Sequence, residues 1–307
     1  MLILQIILII IGFIFLIKGA DWFVDGSSGI AKRLGIPQIV IGLTIVAMGT
    51  SAPEAAVSIT AAMQGNADIS IGNILGSNIL NILIILGLAS AIVPLTIQKS
   101  TLYIEIPFMI LITIIFFFMG KTNANISRME GILLWILFLI YLGYLLLISR
   151  KNKEDALSPT KPVPRLLLEI VIGVVLVIWG SDITVDAAIK LAQIIGLSER
   201  FIGLTIVALG TSLPELVTSV VAARKGNADI AVGNIIGSNI FNILFVIGTS
   251  ALITPITYES GFLFDGIIAI VVGVILWFFV LPKQKLYRLC GILMLLGYCG
   301  YIAFLLH

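Results

Sequence analysis

The chain has one histidine and two cysteines in 307 residues, and charged residues make up only 11% of it. So little histidine and cysteine excludes zinc, copper and iron–sulfur sites, and any Cys–His nucleophilic pair. Cys290 and Cys299 lie nine residues apart in one apolar run. Along a helix that is about 13 Å, too far for a disulfide, so both read as small core residues. His307, the one histidine, is the last residue. The scarcity of charge excludes a soluble domain, because hydrophobic residues reach 60% and mean hydropathy is +1.18. No nucleic-acid partner is expected from a net charge of +2; the partner expected is a lipid bilayer.

What the chain has is apolar length. Runs of about 20 residues, each enough to cross roughly 30 Å of hydrocarbon, recur throughout it. Ten spans are expected, near 2–31, 38–62, 71–92, 103–119, 131–148, 166–194, 201–222, 232–252, 262–281 and 289–306. The first lacks a basic leader and a cleavage site, so it reads as a retained helix. If the N-terminus lies outside and spans alternate, thirteen cations share one side: Lys32, Arg33, Lys99, Arg150, Lys151, Lys153, Lys161, Arg165, Arg224, Lys225, Lys283, Lys285 and Arg288. Lys121, Arg128 and Arg200 fall on the other. Cationic loops stay cytoplasmic, so both termini are expected outside and the 149–165 loop inside.

One segment occurs twice. Residues 41–87 and 202–248 align at a constant offset with no gap, and 31 of 47 positions are identical. Gly19, Asp21 and Asp25 recur at the same offset as Gly180, Asp182 and Asp186, and Pro94 recurs as Pro255. Positive charge moves to opposite places in the two copies. Met63 and Gln64 become Arg224 and Lys225, while Lys32 and Arg33 become Gln193 and Ile194. Five helices per half is an odd number, so the second half must insert upside down. The expected fold is an all-α integral membrane protein of two inverted-topology repeats, 1–148 and 166–307. Residues 149–165 form a short polar cytoplasmic linker between them. The fourth and fifth helices of each half read as featureless scaffold.

Each copy carries Gly-Thr-Ser-x-Pro-Glu and then Gly-Asn-x-x-Gly-Ser-Asn-x-x-Asn. Duplicated, polar, proline-broken membrane helices point to a transporter's binding site. Glu54 and Glu215 lie inside apolar spans, where an ionisable group costs at least a few kcal/mol and needs a partner. No basic residue lies in either duplicated span, so the partner is expected to be an external cation. Thr50, Ser51 and Glu54 share one helix face, as do Thr211, Ser212 and Glu215. Pro53 and Pro214 withhold a backbone donor, which should release carbonyls around Ala47–Thr50 and Ala208–Thr211. Asn73, Ser77 and Asn81 step by four, and Asn234, Ser238 and Asn242 repeat this. Ser77, Ser238, Asn81 and Asn242 are expected to aim neutral oxygens at the glutamates. Asn78 and Asn239 sit off this stripe and suit either that role or interhelical hydrogen bonding. Gly72, Gly76, Gly233 and Gly237 form small-xxx-small patterns for close packing. An all-oxygen set suits hard cations; Ca2+ takes about 6–8 oxygens. Two carboxylates neutralise one Ca2+ or two Na+, the minimum needed for antiport.

With these motifs the chain resembles the prokaryotic sodium/calcium exchangers of the calcium:cation antiporter superfamily and their paired alpha-repeats. The resemblance covers essentially the whole length. It implies ten helices in a prokaryotic cell membrane, and first helices of each half that slide to open the site alternately. It also implies Na+ and Ca2+ as transported ions, with no cofactor. By motif position, Glu54, Glu215, Asn81 and Asn242 are the central set, joined by the carbonyls of Thr50 and Thr211 around Ca2+. Ser51, Ser77, Ser212, Ser238 and the carbonyls of Ala47 and Ala208 complete the Na+ positions. Some relatives, including potassium-dependent exchangers, have Asp where this chain has Asn242, which argues against K+ co-transport here. Asp21, Asp25, Asp182 and Asp186 suit an ion entry path or a helix break. Lys18 suits pairing with Asp21 or reaching an interface. Ca2+/H+ exchange on the same carboxylates is the competing transport reading. A channel needs a continuous open path, and an enzyme dyad lacks histidine or cysteine support. The site is complete in one chain, so a monomer suffices.

Overall fold

The computed structural model describes residues 2–66, 68–151, 161–194 and 208–305. Most of the expected linker, and the start of the span expected at 201–222, lie outside the described residues. Among the described residues, eight helices are long and apolar enough to cross a membrane. They are α1 (Leu2–Leu34), α4 (Ile69–Ile92), α5 (Thr101–Thr122), α6 (Arg128–Lys151), α7 (Val163–Ile194), α10 (Ala228–Ile253), α11 (Phe262–Val280) and α12 (Arg288–Leu305). A ninth crossing is broken: α2 (Gln38–Thr50) and α3 (Ala52–Met63) meet at 52°. In the second half α8 (Ala208–Thr211) and α9 (Leu213–Arg224) repeat that break. The break follows from local sequence. Pro53 and Pro214 stand in the first turn of α3 and α9, a place where a missing N–H costs nothing.

Burial sorts the helices by polarity. In their most apolar 18-residue stretches, 94% of the residues of α10 and 78% of those of α4 are buried, against 22% for α1 and 28% for α7. Asparagine and serine must find partners that lipid cannot supply, so the two stripe-bearing helices lie at the centre. α10 reaches α2 closely through glycine. A Cβ at Gly233 would lie 3.0 Å from Gly42 Cα, and one at Gly237 would lie 2.8 Å from Leu43 Cα. The positions that would face Gly72 and Gly76 by the same relation begin beyond residue 199 and lie outside the described residues.

α1 and α7 are lipid-facing but joined backbone to backbone. A Cβ at Gly19 would sit 2.8 Å from Gly173 O, and one at Gly180 2.7 Å from Gly12 O. Small residues are how membrane helices approach this closely. The heptad spacing of Gly12, Gly19 and Gly26 encodes the seam.

Two short ribbons tie the halves at their ends. β1 (Leu95–Thr96) pairs with β4 (Lys285–Leu286), and β2 (Asn125–Ile126) pairs with β3 (Ile256–Thr257), both antiparallel. α5 runs from the β1/β4 ribbon to the β2/β3 ribbon, and α11 runs back the other way. The outer helices are less featureless than expected. Glu105 on α5 is 1% exposed and accepts the Tyr144 hydroxyl of α6 at 2.5 Å. Asp265 on α11 accepts the Tyr301 hydroxyl of α12 at 2.7 Å. Each scaffold pair is thus tied by a carboxyl–tyrosine bond, which one isolated acidic residue per span did not reveal.

Gly237→Ala should lower the melting temperature of the detergent-solubilised protein by several °C, because its methyl must displace Leu43 backbone at about 1–3 kcal/mol. Gly300→Ala, with nothing within 4 Å of the added carbon, should be neutral or slightly stabilising. A scan of the two variants side by side checks this.

Candidate ion-binding site

Helix breakage places the glutamates. Ser51 stands at the N-terminal cap of α3, with φ −81° and ψ 9°, and its side chain makes no capping bond. Its hydroxyl crosses the molecule and lies 2.8 Å from Glu215 Oε1 and 2.8 Å from Ser238 Oγ. Reciprocally, Ser212 donates to Glu54 Oε1 at 3.1 Å. Each carboxylate therefore takes the serine of the other copy's motif. Both glutamates are 0% exposed, in the first turns of α3 and α9, where the helix dipole favours negative charge.

A second layer holds these helices in place. Asn73 donates to Ser58 Oγ at 2.9 Å and to the Glu54 carbonyl at 3.3 Å. Asn234 donates to Ser219 Oγ at 2.9 Å and to the Glu215 carbonyl at 3.5 Å, while Thr50 donates to Asn234 Oδ1 at 2.9 Å. Ser58 and Ser219 are a missed pair. They sit one helical turn after each glutamate and are identical in both copies, so the duplication carried the signal. Asn81 and Asn242 are 0% exposed and open the π-helical turns Asn81–Leu86 and Asn242–Ile247. A widened turn of this kind is common at functional sites. Ser77 is buried on the same stripe, and Thr211 is half-buried.

One expectation needs correction. The Ala47 carbonyl is not released by Pro53: it accepts the Ser51 N–H at 3.0 Å. The helix stays intact up to the break, and the donor that proline removes is the one owed to a later carbonyl. The hydroxyls of Thr50 and Ser238 also approach Ala47 O, at 3.3 and 3.5 Å. Ala208 opens α8, and its side chain is outside the description.

The acidic residues of α1 and α7 part company. Asp182 and Asp186 line a cavity of about 450 Å3 with Ala52, Pro53, Ala56 and Thr211. Asp21 and Asp25 instead hold Lys225, with Nζ–Oδ1 distances of 3.2 and 2.8 Å. Lys18 is exposed, and the ion-pair partner of Asp21 is Lys225. On that side Leu16, Ala20 and Val177 pack against Leu213, Val217 and Val221 of α9.

Among the described residues eleven buried side-chain atoms have no hydrogen-bond partner, and four of them belong to the central glutamates and asparagines: Glu54 Oε2, Glu215 Oε2, Asn81 Oδ1 and Asn242 Oδ1. These four come from both copies and all are acceptors. Among the described residues there is no group of three or more His, Cys, Asp or Glu that could hold a metal. A cation here must take most of its shell from neutral oxygens.

The family model for the sodium/calcium exchanger protein matches residues 4–147 and 166–307. The chain belongs to the sodium/calcium exchanger family. It is 31% identical to the sodium/calcium exchanger MaX1 of Methanosarcina acetivorans, over 100% of both chains. It is 36% identical to the inner membrane protein YrbG of Escherichia coli (strain K12), over 88% of each. Among solved structures it superposes on the sodium-calcium exchanger NCX_Mj soaked with 2.5 mM Na+ and 10 mM Sr2+, with a TM-score of 0.86, 35% identity and 99% coverage of both chains. The same exchanger soaked with zero Na+ and Ca2+ gives a TM-score of 0.87. The chain is thus an all-α membrane protein of a prokaryotic exchanger family, and these relatives are transporters rather than enzymes.

Two acidic groups buried together without a cation oppose folding. Glu54→Gln and Glu215→Gln should each raise the melting temperature in chelator-treated, Na+-free buffer by a few °C. Equal or lower values would mean that the carboxyls are already compensated in the empty protein.

Proposed function

We propose that the chain is a secondary antiporter that exchanges Na+ for Ca2+ across the cell membrane by alternating access. Its central ligands are Glu54, Glu215, Asn81 and Asn242. The observation that carries this reading is the set of four unpartnered buried oxygens from those residues. Buried acceptors of this kind are costly unless something positive joins them, and among the described residues no ion pair reaches Glu54 or Glu215. Thr50, Thr211, Ser51, Ser212, Ser77, Ser238 and the carbonyls of Ala47 and Ala208 supply the remaining oxygens. One Ca2+ or two Na+ balance the two carboxylates. The ions then compete for the same charge, and this competition couples their movements.

An inverted arrangement of ten helices accounts for the ribbons. In the first half α5 leaves the β1/β4 ribbon, whereas in the second half its counterpart α11 arrives at it. Equivalent helices run in opposite directions. With cationic loops inside, the cavity at Asp182 and Asp186 opens outward, and Lys225 closes the inner side. α1 and α7, locked along their glycine seam, move as one body between the two closures.

The closures differ in strength. Positions 213 and 217 of α9, with 225 just past its end, are Leu, Val and Lys; the matching positions 52 and 56 of α3, with 64 just past its end, are Ala, Ala and Gln. The inner side is sealed by bulk and an ion pair that have no counterpart among the described residues of the outer side, so the empty protein rests outward-open.

Ca2+ uptake into Na+-loaded proteoliposomes diluted into Na+-free buffer tests the function. Uptake should require internal Na+ and fall ~100-fold or more in Glu54→Gln and Glu215→Gln, as for any buried charge pairing that loses one partner. Uptake driven by a pH gradient and indifferent to Na+ would move the assignment to Ca2+/H+ exchange. For the resting state, single cysteines are placed at Ala56 and Val217 after replacing Cys290 and Cys299 with alanine. Ala56→Cys should react with a maleimide faster than Val217→Cys. Lys225→Gln should narrow that gap two- to five-fold, since a partly exposed ion pair is worth ~1 kcal/mol or less. An unchanged ratio removes Lys225 from the closure.

A further inference from the structure

Asn78 and Asn239, equivalent by the repeat, are 4% and 2% exposed, and ion exchange as described leaves them without a task. Their bonds form a closed pattern across the two halves. Asn78 Nδ2 donates to the Asn239 carbonyl at 3.3 Å, and Asn239 Nδ2 donates to the Asn78 carbonyl at 3.1 Å. Each amide nitrogen is thereby committed, and each Oδ1 is left to accept. Asn239 Oδ1 accepts Asn81 Nδ2 at 2.9 Å, and Asn78 Oδ1 accepts Asn242 Nδ2 at 3.1 Å.

A carboxamide carries one oxygen and one nitrogen on opposite prongs. Once the nitrogen of Asn81 is held by Asn239, its oxygen must point the other way. Asn81 Oδ1 and Asn242 Oδ1 are both buried and have no partner among the described residues. We propose that Asn78 and Asn239 are positioning residues for cation binding, a crossed clasp that turns the amides of Asn242 and Asn81 oxygen-first toward the ion. The proposal rests on the reading that Asn81 and Asn242 bind the transported cation. Without the clasp either amide is free to turn over and present N–H groups, which repel a cation. Ca2+ should feel the loss more than Na+, because its double charge doubles the ion–dipole interaction and it needs more oxygens. Each amide is oriented by the other half, so the site's electrostatics require both halves to be in place.

The test is 45Ca2+ binding to purified protein, with wild type, Asn239→Leu, Asn81→Ala and the double variant compared. Leucine keeps the volume and adds no charge. Asn239→Leu should raise the Kd for Ca2+ about 10-fold, within the roughly 10- to 100-fold range for partners that orient metal ligands. Because Na+ loses less affinity than Ca2+, the Na+ concentration needed to displace a saturating amount of Ca2+ should fall. If Asn239 acts through Asn81, the double variant binds no more weakly than Asn81→Ala alone. A Kd within two-fold of wild type, or losses that multiply in the double variant, would overturn the clasp and leave Asn239 as interhelical glue. Should Asn239→Leu fail to purify folded, Asn78→Leu with Asn242→Ala poses the same question from the other half. Failure of wild type itself to bind Ca2+ would sink the exchange reading and the clasp with it. Wild-type binding with an indifferent Asn239→Leu sinks the clasp alone.

Discussion

Two carboxylates are buried at the centre of a lipid-soluble body with no cation among the described residues to meet them, and the rest of the molecule is arranged around that constraint. Charge in a low-dielectric interior is tolerated only among aligned dipoles and hydrogen-bond donors. The chain supplies these by breaking helices. At Ser51 and Ser212 a new helix begins, and its first turn brings positive dipole to the glutamate. Serine at that position and glutamate three residues later ordinarily form a reciprocal cap within one helix. Here the exchange is made between helices: the serine of each motif serves the glutamate of the other. α10, which carries the second asparagine stripe, is consequently the most enclosed helix, with 94% of the residues in its most apolar stretch buried.

That crossing explains why the motif is worth having twice. Glu54 is hydrogen-bonded by Ser212, Glu215 by Ser51, Asn81 by Asn239, and Asn242 by Asn78. Neither copy could satisfy its own polar groups in a membrane. The halves are held to this relation by the Gly42–Gly233 contact and by the two ribbons, which leave little freedom for one half to slip against the other.

The two motifs are nearly identical, but their flanks are not. Leucine and valine on α9, and the lysine just past its end, meet α1, while alanine, alanine and glutamine occupy the matching positions in the other half and leave a cavity. Under the proposed exchange, a symmetric site between unequal flanks would have two conformations of unequal energy. In the proposed alternating access, the glycine seam between α1 and α7 would keep that pair rigid, so the difference would be expressed as a displacement of the pair rather than a local rearrangement.

Sequence alone determined the broad outcome. Apolar run length called for a membrane, the repeat marked two equivalent carboxylate motifs, and glutamate without basic company led to the proposal of an external positive partner. These are statements about composition and periodicity, which chain order preserves. It also marked Ser58 and Ser219 by duplication, although their part as anchors for Asn73 and Asn234 became visible only when α3 met α4 and α9 met α10. The Ala47 carbonyl looked free because proline's missing donor is evident in one dimension and the ladder bond from Ser51 is not. Glu105 and Asp265 looked incidental because their tyrosines lie on the next helix. Lys225 looked like a loop charge until the fold set it against Asp21 and Asp25, some 200 residues away. The orientation of an asparagine amide is the clearest case. Its two ends are interchangeable in sequence and nearly equal in shape, and only the partner across the molecule decides which end faces the centre.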